Sequence, residues 1–311
     1  MNKKLKKKIV AISGSFDILH AGHVRLLQQA RALGDKLIVL LNSDRSIRMY
    51  KGPDRPIHSV HKRKAALAAI PSVDSIIVFN EITPIHALEK LKPDIYVNGS
   101  DWGKGIIESE TVAAYGGKIV HLPLLPGYST TNILKKLGKK DTAARAVFLD
   151  RDGTINDNKD GYIHTKEHFA FLPGVIEGIK KLVTAGYKII IISNQSGIAR
   201  RMYTKRHVQD LHDWLRQKIH VDAIYICPHG PESACVCRKP KPGMLIKAAK
   251  EHKLNLSKSW CIGDSDIDVI AGRSANAKTI KIGKRMQRLI QPHYYAKNFS
   301  EAVKHILHEK K

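Results

Sequence analysis

Five apolar runs, KIVAIS, KLIVLLN, SIIVF, DIYVNG and KIVHL, recur between amphipathic stretches over residues 8–140. Each run is five to seven residues long and nearly continuous, the pattern of strands buried on both faces. Between them the apolar positions fall at helical spacing near 22–34, 58–70, 84–91, 109–116 and 129–137. Strand alternating with helix predicts a parallel α/β sheet. The polar stretch KKLGKKDTAAR interrupts the pattern, which then restarts with ARAVFLD, KIIIISN, AIYICP, SWCIGD and AKTIKIG. Helices are expected near 173–185, 204–220, 242–254, 266–274 and 299–309. The reading is two α/β domains, 1–139 and 140–311, with the boundary near 138–144.

Composition changes this picture little. With 43% hydrophobic and 26% charged residues the chain reads as globular, not disordered or collagen-like. No apolar run approaches the ~20 residues that span a bilayer, so no membrane association is expected. The lysine-rich start precedes an apolar run too short for a signal peptide, which points to the cytoplasm. The formal net charge of +25 is more informative. It is spread along both halves and suits polyanions, whether nucleic acid or phosphorylated small molecules. No aromatic-interleaved basic stretch favours nucleic acid, and no nucleic-acid partner is expected.

Candidate chemistry begins directly after the first strand, in GSFDILHAGH. In open α/β sheets ligands sit at the carboxyl ends of strands near helix N-termini. Gly14 lets the backbone approach a phosphate. His20 and His23 can face the same phosphates and donate to a phosphoryl group as its charge shifts. A lone histidine is more often solvated or structural; this pair, in this string, resembles the G-x-F-D-x-x-H-x-G-H signature of the cytidylyltransferase-like nucleotidyltransferases. NSDRSIRMYKGPDRPIHSVHKRKAAL and GYSTTNILKK extend the resemblance to heptose 1-phosphate adenylyltransferase domains. It implies catalytic His20 and His23, a nucleotide site including Gly14, Ser15 and Phe16, and phosphate contacts from Lys51 and Arg63. Ser129, Thr130 and Thr131 would cradle nucleotide phosphates at a helix start. The chain departs from that family at Val97-Asn98-Gly99, where a lysine is usual at the middle position. Asp101 and Trp102 look more like the glycerol-3-phosphate cytidylyltransferases, so ATP and CTP both stay open as the nucleotide.

The second domain opens with VFLDRDGTIN, two aspartates two apart at a strand end. Asp150 can attack phosphorus, and Asp152 can act as acid and then base, dividing one hard step into two. The string resembles motif I of the haloacid dehalogenase superfamily. The superfamily's other motifs follow in order, with Ser193 in IISNQSG, Lys239 in RKPKPG, and Asp264 and Asp268 in IGDSDID. The resemblance implies Ser193 and Lys239 on the phosphoryl oxygens. Mg²⁺ would lie on Asp150, the Asp152 carbonyl and Asp264, with Asp268 behind them. Asn194 and Gln195 would border the substrate. Cys227, His229, Cys235 and Cys237 form a Cys₃His set, the composition of a closed structural Zn²⁺ site; Cys261 reads as core. This insert resembles those of the heptose 1,7-bisphosphate 7-phosphatases, and less closely those of the histidinol-phosphate phosphatases. Arg238 would then recognise a second substrate phosphate. The chain departs from that pattern in a short loop between His229 and Cys235, and in Ser265 where a lysine is common.

Both resemblances imply Rossmann-like folds, and together they imply consecutive steps. A phosphatase would free heptose 1-phosphate from the 1,7-bisphosphate, and a nucleotidyltransferase would join it to the nucleotidyl group of ATP. A separate heptose kinase would supply the bisphosphate, and a homodimer is allowed. The alternative is a CTP-dependent sugar- or polyol-phosphate cytidylyltransferase fused to a phosphatase of other, histidinol-phosphate-like, specificity.

Overall fold

A computed structural model describes residues 7–99, 106–123, 143–158 and 161–309. The chain forms two compact units, Met1–Thr142 and Ala143–Lys311.

In the first unit the elements run β1 (Ile9–Gly14), α1 (Ala21–Arg31), β2 (Lys36–Asn42), α2 (Asp44–Lys51), α3 (Val60–Ala68), β3 (Ser75–Phe79), α4 (Ile85–Leu91), β4 (Ile95–Gly99), α5 (Ser109–Ala114) and β5 (Lys118–Leu122). The sheet order is β3-β2-β1-β4-β5, all parallel. Alternation along the strands fills two cores. Val10, Ile12, Leu37 and Val39 pack with Leu26, Leu27 and Leu67 on one face. Ala11, Ile38, Leu40 and Tyr96 pack with Leu88 and Val112 on the other. The chain leaves β1 toward β2 and β3, then returns to place β4 on the opposite side. That reversal opens a crevice at the carboxyl ends of β1 and β4.

The second unit runs β6 (Ala146–Leu149), α6 (Val175–Thr184), β7 (Lys188–Asn194), α7 (Lys205–Lys218), β8 (Ala223–Cys227), α8 (Gly243–Glu251), β9 (Trp260–Gly263), α9 (Asp266–Ser274), β10 (Lys278–Ile282), β11 (Tyr294–Ala296) and α10 (Phe299–His308). Its parallel sheet has the order β11-β10-β9-β6-β7-β8, with the reversal between β6 and β9. Local sequence accounts for the helices. In α7 the Thr204 side chain accepts from His207 N at 3.2 Å, and Val208, Leu211, His212 and Leu215 make one buried face.

Four elements depart from the sequence reading: β3 and β5, expected to be buried on both faces, are the sheet's edge strands and largely exposed or half-buried, and two others were not expected. The α2 helix, DRSIRMYK, buries only Ser46, Ile47 and Tyr50, too few apolar positions to register as a period; the Ser43 side chain starts it by accepting from Ser46 N. The three-residue β11 exists because it pairs with β10. The expected helix near 129–137 lies outside the described residues.

Candidate active sites

The first crevice is built on the segment that leaves β1. Gly14 ends the strand so close to the Phe16 ring that a Cβ there would lie 2.9 Å from Phe16 Cε2. Phe16 itself is buried at φ 41°, a left-handed conformation that a non-glycine residue holds at a cost. Asp17, 1% exposed, anchors the turn. Its carboxylate accepts from Arg55 Nε at 2.7 Å and from the N–H groups of Ile57 and His58 at 2.8 and 3.0 Å. The sequence reading gave no role to Asp17, the aspartate of the GSFD string, and missed Arg55, since a buried arginine looks like any other in a string.

His20 stands at the N-cap of α1, and its carbonyl accepts from His23 N. The spacing of three brings the two rings into a stack, 3.8 Å between centroids at 24°. Burial lowers the His20 pKa. Burial, then the neighbouring His20 and Lys51, lowers that of His23 to about 4. Both imidazoles are therefore neutral at pH 7. They stand at a helix N-terminus that has no acidic residue in its first turn, a setting open to an anion.

Lys51 ends α2 and donates from Nζ to Ser15 Oγ at 2.9 Å. Arg63 is in a different position from a surface phosphate contact. It is 1% exposed and donates to the carbonyls of Ser15 (2.7 Å), Asn42 (2.8 Å) and His58 (3.0 Å) and to Asp44 Oδ1 (2.8 Å). Its guanidinium thus ties four segments of the crevice together. Asn98 lies half-buried near the end of β4. Ser129, Thr130, Thr131, Asp101 and Trp102 lie outside the described residues.

In the second unit the ends of β6, β7 and β9 bring the expected residues together. Carboxylate oxygens of Asp150, Asp264 and Asp268 lie within 4.8 Å of one another. Lys239 Nζ reaches Asp150 Oδ1 at 2.5 Å, Asp268 Oδ1 at 2.6 Å and the Ile192 carbonyl at 3.1 Å. Asp268 also accepts from Ser265 N at 3.1 Å, capping α9, so it supports the cluster from behind. Burial, reinforced by Asp268, raises the Asp264 pKa, and burial raises that of Asp150 against the opposing pull of Lys239. Burial alone would lower the Lys239 ammonium; Asp150 and Asp268 more than offset it and hold it above its ordinary value. Gly153, at φ 84°, lies against Asp264, where a Cβ would stand 2.2 Å from Oδ2. The trio with its one ammonium keeps an excess of negative charge, and such an oxygen-only set suits a hard divalent cation such as Mg²⁺.

Asp152 is held apart from that trio. Its Oδ1 accepts from Arg151 Nη2 at 2.8 Å and Asn156 Nδ2 at 3.2 Å; its Oδ2 accepts from Gln195 Nε2 at 2.9 Å and Ser193 Oγ at 3.3 Å. Arg151, 1% exposed, also donates to the Ile163 carbonyl and to His212 Nε2. Asn194 exchanges two 3.1 Å hydrogen bonds with the Lys239 backbone, fixing the lysine's approach.

Cys227 ends β8, and the following loop folds His229, Cys235 and Cys237 back onto it. Cys227 Sγ lies 3.7 Å from Cys235 Sγ and 3.5 Å from His229 Nδ1, and Cys237 Sγ lies 3.3 Å from His229 Nδ1. A disulfide needs ~2.05 Å between sulfurs, so these thiols are free. The edges of a tetrahedron with Zn–S of ~2.3 Å and Zn–N of ~2.0 Å are roughly 3.5–3.8 Å, close to the spacings found. Arg238 projects from this loop, half-buried, and donates to the His229 carbonyl at 3.2 Å. Cys261 is buried in β9. Among the described residues no helix is long and apolar enough to cross a membrane.

Comparison with known proteins places each unit. Residues 11–136 match the cytidylyltransferase-like family, and residues 145–300 the polynucleotide kinase 3 phosphatase family. A D-glycero-beta-D-manno-heptose-1,7-bisphosphate 7-phosphatase of Helicobacter pylori is 44% identical over 143 residues, 44% of this chain and 82% of that protein. A bifunctional protein HldE of Pseudomonas putida is 50% identical over 135 residues; these make up 43% of this chain but only 28% of that longer protein. A crystal structure of D,D-heptose 1,7-bisphosphate phosphatase from B. bronchiseptica, complexed with magnesium and phosphate, is 27% identical, covering 53% of this chain and 99% of that one, with a TM-score of 0.48.

Proposed function

The chain belongs to the polynucleotide kinase 3 phosphatase family through residues 145–300, and from that premise we propose that it is a bifunctional enzyme of ADP-heptose formation. Its rear unit removes the 7-phosphate of D-glycero-beta-D-manno-heptose 1,7-bisphosphate. Its front unit transfers the adenylyl group of ATP to the resulting 1-phosphate. The observation that carries this reading is the presence, in one chain, of two phosphate-handling sites at two sheet reversals. One is the stacked His20–His23 pair, the other the Asp150–Asp264–Asp268 cluster with Lys239.

In the rear site an Asp150 oxygen attacks phosphorus and the bond to the sugar oxygen breaks. Asp152 gives that oxygen a proton, then takes one from the water that hydrolyses the aspartyl phosphate. Ser193 and Lys239 hold the phosphoryl oxygens, Asn194 and Gln195 support them, and Arg238 receives the distal phosphate. Asp150, Asp264 and the Asp152 carbonyl would hold Mg²⁺, which when bound offsets the repulsion between an anionic nucleophile and an anionic ester. Cys227, His229, Cys235 and Cys237 would hold Zn²⁺ as a closed structural site.

In the front site a sugar-phosphate oxygen attacks the α-phosphorus of the nucleotide and pyrophosphate leaves. His20 and His23, as neutral donors, stabilise the charge that moves onto the phosphoryl oxygens. Gly14, Ser15 and Phe16 form the wall, and Lys51 and the Ser129–Thr131 segment take phosphates. Arg63 shapes the crevice from behind. The partners are the nucleotide and heptose phosphates, the compartment is the cytoplasm, and the bisphosphate comes from a kinase acting on the sugar at another site. The test is incubation of the purified chain with the bisphosphate, Mg²⁺ and either ATP or CTP. Phosphate release followed by ADP-heptose is expected; neither product, or a preference for CTP, would overturn the reading.

A further inference from the structure

A buried hydrogen-bond chain runs behind the phosphatase site, and the roles given above do not require its far end. Tyr203, 4% exposed, precedes α7 and donates from its phenol to Gln195 Oε1 at 2.7 Å. Gln195, 2% exposed, donates from Nε2 to Ser193 Oγ at 2.7 Å and to Asp152 Oδ2 at 2.9 Å. The phenol is fixed by its packing. A Cβ on Gly197 would lie 2.1 Å from Tyr203 Cε1, and the ring stacks on His164 at 4.7 Å and 8°.

A carboxamide fills the same volume either way round, so its neighbours decide which end is the donor. The Asp152 carboxylate accepts from Nε2 while the Tyr203 phenol donates to Oε1, so the amide is held in one orientation from both ends. Both Gln195 N–H groups then face the site. Ser193 Oγ accepts one of them, which leaves the serine's own O–H to be donated. At rest it lies 3.3 Å from Asp152 Oδ2; with substrate bound it is available to a phosphoryl oxygen. If the amide turned over, Ser193 would spend its proton on Gln195 instead.

We propose that Tyr203 is a positioning residue of the phosphatase reaction: through Gln195 it fixes Ser193 as a donor to the phosphoryl group and steadies the Asp152 carboxylate. The proposal rests on the phosphatase reading above. It concerns kcat, because the hydrogen bonds it sets mature as the phosphoryl group is transferred.

The experiment is a double-mutant cycle on the full chain with Mg²⁺ and the heptose bisphosphate, comparing wild type, Tyr203→Phe, Gln195→Leu and the double variant. Y203F keeps the ring and loses one hydrogen bond, so kcat should fall about tenfold with KM changed less than about twofold. In the Q195L background the same change should add almost nothing, because the group it acts through is gone. Q195L alone, which keeps Tyr203 but cannot donate, should lose at least as much kcat as Y203F. Multiplicative losses in the double variant, an effect confined to KM, or wild-type kcat in Y203F or Q195L would each overturn the proposal. Absence of phosphate release by the wild-type chain would instead sink the phosphatase reading itself.

Discussion

Three imidazoles, His212 buried and His23 and His293 half-buried, make this molecule sensitive to acid. Burial lowers the pKa of His23 to about 4, of His212 to about 3 and of His293 to about 2, with nearby cations adding to each. Their unfolded value is near 6.5. Above that pH both states are neutral and the folded form keeps its full advantage. Between 6.5 and the folded values the unfolded chain takes up protons that the folded chain refuses, so stability falls as pH falls, by up to about 1.4 kcal/mol per pH unit for each group. Melting temperature should therefore drop steadily from pH 7 to pH 5. A melting temperature that stays level or rises over that range would show that these rings are hydrated. For the same reason the nucleotidyl transfer rate should show no ionisation near pH 6.5 that a His23→Gln variant removes. At this scale the chemistry was legible in part. His20, His23, Asp150, Lys239 and Asp264 were named by motif, and the fold brings the members of each set together. Arg55 and Arg151 were not, because a guanidinium buried on carbonyls or on one carboxylate has no sequence pattern to distinguish it from solvated charge.

The loop between β8 and α8 shows how an element can serve a site it does not enter. It begins at Cys227, closes its thiols and imidazole on one another, and delivers Lys239 two residues after Cys237. Lys241 Nζ donates to the Cys235 carbonyl at 2.7 Å, and Gly243 opens α8 against the Val236 carbonyl, where a Cβ would stand 2.2 Å away. Few apolar side chains hold this stretch; Val236 is 75% exposed. Beside its hydrogen bonds, a metal on the Cys227, His229, Cys235 and Cys237 set is the expected source of its order. Stripping the metal with a chelator, or Cys235→Ser, should lower the melting temperature of the rear unit and reduce phosphatase kcat at least tenfold through displacement of Lys239. Nucleotidyl transfer should be unchanged, and the protein as purified should contain one zinc per chain by elemental analysis. Loss of zinc with full phosphatase activity would contradict this account. The strands and long helices were legible because their period is strong. The α2 helix and β11 were not, since one depends on a cap and two apolar contacts and the other on a neighbouring strand.

At the level of the whole chain, two units have separate cores, and the proposed function assigns them consecutive reactions. The partners described for Asp150 and Lys239, namely each other, Asp268 and the Ile192 carbonyl, belong to the second unit, and His20 and His23 stack on one another in the first. If each site is complete within its own unit, a chain broken in one can be rescued by a chain broken in the other. Asp150→Asn should abolish phosphate release and still convert supplied heptose 1-phosphate to ADP-heptose at the wild-type rate. His23→Ala should release phosphate normally and lose adenylyl transfer by at least about a hundredfold, the scale of one preorganised donor to a phosphoryl group. Mixed at equal concentration with the bisphosphate and ATP, the two variants should make ADP-heptose after a lag. The lag shortens as total protein rises, because the 1-phosphate must leave one chain and find another. A mixture that stays inactive while each variant retains its own half-reaction would mean the intermediate never leaves the chain that makes it. Failure of Asp150→Asn in both half-reactions would mean the two cores do not stand independently.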